Sequence, residues 1–278
     1  MPVRVVESRQ NSRVKELRKA LAAAGRVERG LVGIEGPHLV EEALRAGLHV
    51  ETAFVAQGAE RLLDSLRVPP GIEVLSLPKK LLDSVLATET PQPIAALVEP
   101  REWTWAHVLG GRESAKPLIL VLAGIQDPGN LGTILRSAEA FGVTGVVSLP
   151  GTVSAWNPKA VRASAGSVFR VPLIAASAEE CLTKLRKAGV KTLATAARAA
   201  QAVGPVELGG PVALIIGNEG NGVPREIAGK ADGAITIPCP GPVESLNAAV
   251  AASVLLYEAS RQRAAASGGP AKRRGARR

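Results

Sequence analysis

The sequence is poor in residues that hold metals. Its 278 residues include two cysteines, Cys181 and Cys239, and three histidines, His38, His49 and His107. The cysteines lie far apart with no zinc-ligand spacing and the histidines form no motif, so a structural metal is not expected. No apolar run approaches the ~18 residues that suggest a membrane span, and the opening stretch MPVRVVESRQ has no apolar segment of a secretory signal. These absences lead to the expectation of a cytoplasmic protein with no membrane partner. Nucleotide fingerprints are missing too. After the strand-like run PLILVLAG, where a dinucleotide site would place G-x-G-x-x-G, the loop reads Asp127-Pro128-Gly129-Asn130-Leu131-Gly132. The glycine-rich IIGNEGNGVP is not followed by the G-K-[ST] of a Walker loop. No internal repeat is visible.

What is present suits a folded protein. Apolar residues make up 46% of the chain, enough for two modest domains or one large one. The net charge of +9 is concentrated at the ends. Seven basic residues and no acid follow Glu258, the first thirty residues hold eight basic against three acidic side chains, and residues 31–258 are left with a net charge of −3. Basic ends attract phosphate-rich partners by counterion release, although a solubilising tail has the same composition.

Periodicity divides the chain. NSRVKELRKALAAAG reads as a helix capped by Asn11 or Ser12, with Leu17 and Leu21 on one face, basic residues on the other and an end at Gly25. Strand-like GLVGIEG, VETAFVA, IEVLSL and IAALVE alternate with helix-like PHLVEEALRAG, AERLLDSLR and PKKLLDSVLAT, giving a small α/β domain over residues 1–99. Residues 100–116 read as a linker. There Trp103 and Trp105 could stack on bases or pin the linker to a domain surface. Residues 117–263 resume the βα rhythm with strands PLILVLAG, GVVSL, VFRVPLIA, VKTLATAA and GPVALIIG, helices in NPKAVRASAG and AEECLTKLRKAG, and an alanine-rich last helix from Ser245. Residues 264–278 have too few large apolar groups to fold, so a disordered basic tail is expected.

The chemistry-bearing residues collect after strands of the second domain. Asn130 is placed to cap the helix after PLILVLAG, with Arg136 nearly two turns in. Glu219 stands among Gly217, Gly220 and Gly222. Ser245 is placed to cap the last helix, with Asn247 in its first turn. In a parallel sheet the carboxyl ends share one edge, so these loops can converge on one ligand there. Taken singly, each loop also reads as ordinary turn and cap chemistry.

NLGTILR, IIGNEGNGVP and IPCPGPVESLNAAVAA, in that order, resemble the three motifs of the SpoU (TrmH-like) branch of the SPOUT RNA methyltransferases. NSRVKELRKAL followed by GIEGPHLVEEAL is similar to the substrate-binding domain often joined to them. The resemblance covers nearly all of the chain outside linker and tail. It implies a SPOUT α/β domain with a deep trefoil knot, preceded by a small α/β domain that binds RNA, and a homodimer with sites near the subunit interface. It implies S-adenosylmethionine-dependent methylation of a ribose 2′-hydroxyl, with rRNA first and tRNA second as the substrate. By match to the motifs, Gly217, Ile237 and Leu246 line the cofactor site, and Asn130, Arg136, Glu219, Ser245 and Asn247 act at the RNA. Cys239 stands where the family commonly has an apolar residue, a conservative change in a packing role. A guanidinium keeps its proton at neutral pH, so Arg136 is expected to hold a phosphate and polarise the hydroxyl, and the final proton acceptor stays open. The competing readings are an RNA-binding or ribosome-assembly protein without catalysis, which the intact motifs disfavour, and a nucleotide-dependent oxidoreductase, which the absent fingerprint disfavours.

Overall fold

A computed structural model describes residues 3–22, 30–86, 88–110, 116–197, 201–243 and 245–266. The chain divides into two compact units. One comprises Met1–Glu102, Asp127–Arg136 and Val153–Arg170, and the other Trp103–Gln126, Ser137–Thr152 and Val171–Arg278.

The first unit is built on β1 (Val3–Val5), α1 (Ser12–Ala20), β2 (Val32–Glu35), α2 (Pro37–Arg45), β3 (His49–Ala56), α3 (Arg61–Ser65), β4 (Glu73–Leu77), α4 (Lys79–Asp83) and β5 (Ile94–Glu99). Its sheet runs β1-β4-β3-β5-β2, with β1, β4 and β3 parallel and β5 antiparallel to both neighbours. Asn11 caps α1, its Oδ1 accepting from the N–H groups of Arg13 (2.9 Å) and Val14 (3.4 Å). Val14, Leu17 and Ala20 are the buried face that ties the helix to the sheet. The helix ends at Ala20, ahead of Gly25, which lies outside the described residues. Its basic face is partly used at home: Arg13 meets Glu16, Glu51 and Glu73 at 3.0, 2.8 and 3.0 Å.

The remaining elements are α5 (Trp105–Val108), β6 (Leu118–Ala123), α6 (Pro128–Ala140), β7 (Gly145–Ser148), α7 (Pro158–Ser164), β8 (Leu173–Ala175), α8 (Ala178–Lys187), β9 (Lys191–Thr195), β10 (Gln201–Ala202), β11 (Val212–Gly217), α9 (Arg225–Ala228), β12 (Gly233–Thr236) and α10 (Ala248–Ala266). The seven-stranded sheet runs β10-β12-β9-β11-β6-β7-β8 with every pair parallel. β6 and β11, the most apolar runs, are buried at every residue, as strands covered on both faces must be.

Three sequence expectations need correction. The stretch read as a linker carries α5. It buries Val108, and the Trp105 indole N–H donates to Glu180 at 2.9 Å, so this tryptophan pins the segment, one of its two expected roles. VFR, read as the start of a strand, is a 3-10 turn at Ser167–Phe169, because Gly166 enters it at φ +88°. Residues 264–266, assigned to a disordered tail, continue α10, since three alanines extend a helix at little cost. The rest of that tail lies outside the described residues. On α10, Val250, Val254 and Tyr257 are exposed.

Candidate active site

The loops after β6, β7 and β11 are tied together at the carboxyl edge of the second sheet. Register places Gly217, the last residue of β11, beside Ala123, the last of β6. One residue on, the Asn218 amide donates to the Gly124 carbonyl at 3.0 Å. The Gly124 N–H donates to Thr152 Oγ1 (3.1 Å), whose hydroxyl donates to the Leu122 carbonyl (2.9 Å). Asn218 and Gly222 exchange backbone hydrogen bonds of 3.1 and 2.9 Å, and Asn218 Oδ1 accepts from Gly220 and Asn221 (2.8 and 3.3 Å). The result is a tight loop with Glu219 exposed at its tip. Gly217 has to be glycine, because a Cβ there would collide with the backbone of Gly222 and Val223. Glu219 does not cap α9, which begins at Arg225 with Pro224 at its N-cap. The residue that organises this loop, Asn218, was missed in the sequence. The signal for it was an amide directly after a strand, which can fold back onto its own following N–H groups.

Asn130 sits at a different position from the one expected. α6 begins at Pro128, and Asp127 Oδ1 accepts the Asn130 N–H at 2.8 Å, so Asp127 is the cap and Asn130 lies in the first turn. Proline fits the first helical position because it has no N–H to satisfy there, which shifts the start by three residues. The Asn130 N–H, and then Lys159 at 3.0 Å, hold the Asp127 carboxyl below its ordinary range. Gly132 permits α6 and α7 to touch, its missing Cβ being the space filled by Ala160, Ala163 and Ser164. Arg136 is exposed on α6 and does not face the core.

Between β12 and α10, Ile237 and Leu246 are half-buried and Cys239 and Ser245 exposed. Cys239 therefore does not pack as expected. Asn247, not Ser245, caps α10: its Oδ1 accepts from Ala249 and Val250 at 2.9 and 3.3 Å. Gly217, Glu219, Ile237, Ser245, Leu246 and Asn247 belong to the second unit, in loops at the carboxyl ends of β11 and β12, whereas Asn130 and Arg136 belong to the stretch grouped with the first. Among the described residues no cluster of His, Cys, Asp or Glu could hold a metal ion.

Residues 117–257 match the model of the SpoU rRNA Methylase family, and residues 11–96 that of the MRM3-like substrate binding domain. The chain is 35% identical to 23S rRNA (guanosine(2553)-2′-O)-methyltransferase RlmP of Bacillus subtilis, over 91% of this chain and 97% of that protein. It is 40% identical to 23S rRNA (guanosine-2′-O-)-methyltransferase RlmB of Xanthomonas campestris, over 69% of this chain and 79% of that one. Among solved structures it resembles the SpoU methyltransferase AviRb of Streptomyces viridochromogenes in complex with AdoMet (TM-score 0.82, 27% identity, 94% and 100% of the two chains). It also resembles AdoMet-bound rRNA methyltransferase of Sinorhizobium meliloti (TM-score 0.79, 31% identity, 93% and 98%).

Proposed function

The chain belongs to the SpoU rRNA methylase family, and from that premise we propose how its own residues transfer a methyl group from S-adenosylmethionine to a ribose 2′-hydroxyl of RNA. The substrate we infer is a guanosine of 23S rRNA, supported by the activities named for the RlmP and RlmB relatives, and a tRNA target is the second choice. The observation that carries the reading is the bonded carboxyl edge, where Asn218 fastens the loop bearing Glu219 to the loop that leads into the Arg136 helix.

The residues at that edge fit the cofactor. Ile237 and Leu246 are half-buried and keep apolar surface for an adenine ring, and Gly217 brings bare backbone to the strand end. Bound there, S-adenosylmethionine supplies an electrophilic methyl group. The protein's part is alignment, worth much of the barrier in an in-line displacement. Arg136 would hold a phosphate beside the target ribose and polarise the 2′-hydroxyl, easing loss of its proton to water. Asn130, from the first turn of α6, and Glu219, from its loop, are assigned contacts with the nucleotide. Asn247 fixes the start of α10 and with it the position of Ser245 and Leu246.

Residues 1–99 are proposed to grip structured RNA, and the basic residues beyond Glu258 to add salt-sensitive attraction. The C-terminal segment is proposed to form the deep trefoil knot of the family, and the enzyme to work in the cytoplasm as a homodimer. Exposed Val250, Val254 and Tyr257 on α10 support the dimer, being apolar groups at helical spacing left uncovered in a single chain.

Arg136→Ala tests the assignment. The variant is expected to bind S-adenosylmethionine with nearly unchanged calorimetric affinity while losing most of the single-turnover rate on 23S rRNA. Parallel loss of both would make Arg136 a structural residue.

A further inference from the structure

A second cleft opens at the same sheet edge, beside the residues assigned to the cofactor. Its volume is ≈ 310 Å³, at the lower end for small-molecule sites. It lies over the ends of β6, β7 and β11, lined by the loops that follow them and by the first residues of α8 and α9. From β6 the chain winds through β7 and β8 to one side, then returns through β9 and β11 to the other, so β6 and β11 flank the point where the winding reverses. Open α/β sheets bind ligands in the crevice at such a point. None of Gly217, Ile237 or Leu246 lines this cleft.

The chemistry of the lining selects the ligand. Leu149, Ala178 and Ile227 give the lining apolar surface, and Gln126, Asn218 and Asn221 add uncharged amides. No lysine, arginine or histidine lines it, so no cationic side chain is there to pair with a phosphate or carboxylate. Its one ionisable group is Glu226, an exposed carboxylate with no ion pair among the described residues. A cleft of apolar surface and uncharged amides with a single carboxylate suits a flat, uncharged ring presenting two adjacent N–H donors. Among the nucleobases guanine meets that description, through N1–H and the 2-amino group.

We propose that this cleft receives the guanine base of the target nucleotide, flipped from its stack, with Glu226 accepting its two Watson–Crick-edge donors. The assignment rests on the RNA 2′-O-methyltransferase reading. Asn218, which walls the cleft, stands between Gly217 of the proposed cofactor site and Glu219 of the proposed catalytic loop, so base and ribose would be held by consecutive residues. Paying the cost of unstacking is the usual way for enzymes to reach a nucleotide in folded RNA.

The test measures nucleoside binding by saturation-transfer NMR on the full chain at millimolar guanosine, inosine or adenosine, apart from any methylation assay. The unmodified protein should bind guanosine, inosine more weakly for want of the amino group, and adenosine least. Glu226→Gln should weaken guanosine roughly ten- to a hundredfold and erase its advantage over inosine, the scale of one bidentate base contact. Ala178→Phe, which fills the slot, should abolish nucleoside binding, while both variants keep the circular dichroism and S-adenosylmethionine affinity of the parent. Guanosine binding that is absent, that matches adenosine or that survives both substitutions would overturn the assignment. So would a parallel loss of cofactor affinity, since the cleft would then belong to the cofactor. A protein that binds guanosine here yet methylates no 23S rRNA would leave the cleft in place and refute the substrate reading alone.

Discussion

Cys181 and Cys239 occupy opposite environments. Cys181 is fully buried in the core of the second sheet, where desolvation, helped by the Glu180 carboxylate, pushes its thiol up to about 12. Cys239 is exposed two residues beyond Ile237. Thiolate is the reactive form, so iodoacetamide at mildly alkaline pH should modify Cys239 alone, with Cys181 reacting only after denaturation. Saturating S-adenosylmethionine should slow the reaction of Cys239 if Ile237 lines the cofactor site. Mass mapping of the modified peptides reads both outcomes, and an unchanged rate would move the cofactor away from this segment. The residue types were legible in the sequence and their environments were not. Cys239 was expected to pack because the family commonly places an apolar residue there, whereas exposure depends on the course of the whole segment from β12 to α10. Asn218 escaped notice for a similar reason, as its role appears only once Gly124 lies across from it.

Helix ends show how far local rules reach. Asn11 caps α1 as its sequence suggests, and Pro37 opens α2. At α6 and α10 the helix was placed correctly but the cap was displaced by two or three residues, from Asn130 to Asp127 and from Ser245 to Asn247. Several good capping residues stand close together at both sites, and propensity alone does not choose among them; the loop's path does. Stability measurements separate the two candidates on α10. Asn247→Ala should cost about 1 kcal/mol in urea unfolding, the ordinary value of a lost cap, and Ser245→Ala close to nothing. The reverse order would return the cap to Ser245. Strand β12 and the two-residue β10 went unread because GAIT and QA are too short to show alternation, and long-range pairing creates them.

At the scale of the molecule, the two-part α/β organisation and the apolar central strands β6 and β11 could be read from periodicity. The assignment of residues 127–136 and 153–170 to the first compact unit could not, because grouping depends on contacts between segments distant in sequence. Assembly is where the exposed face of α10 has its effect. Val254 is 38% exposed and Tyr257 58% exposed in the single chain, so a charge at 254 should be tolerated by the fold and resisted by a partner subunit. Val254→Glu is therefore expected to keep the parent's circular dichroism and melting temperature as a monomer while light scattering shows the dimer lost, with activity falling alongside it. A parent protein that is monomeric at micromolar concentration and fully active would refute the dimer, and a Val254→Glu chain that unfolds would place Val254 within the core of one subunit.

The far end of α10 sets the order in which this protein can be finished. Arg263 donates to the carbonyls of Lys116, Pro117, Leu208 and Gly210, at 2.6, 2.9, 3.1 and 2.5 Å, and so binds the entrances of β6 and β11 from the last described helix. Lys116 precedes it by 147 residues. During synthesis the carbonyls that lead into β6 leave the ribosome long before Arg263, and of the two only Pro117 gains an earlier described donor, the Val212 N–H at 3.0 Å. The clamp across the entrances of β6 and β11 is thus a late, non-local event that awaits the arrival of one arginine.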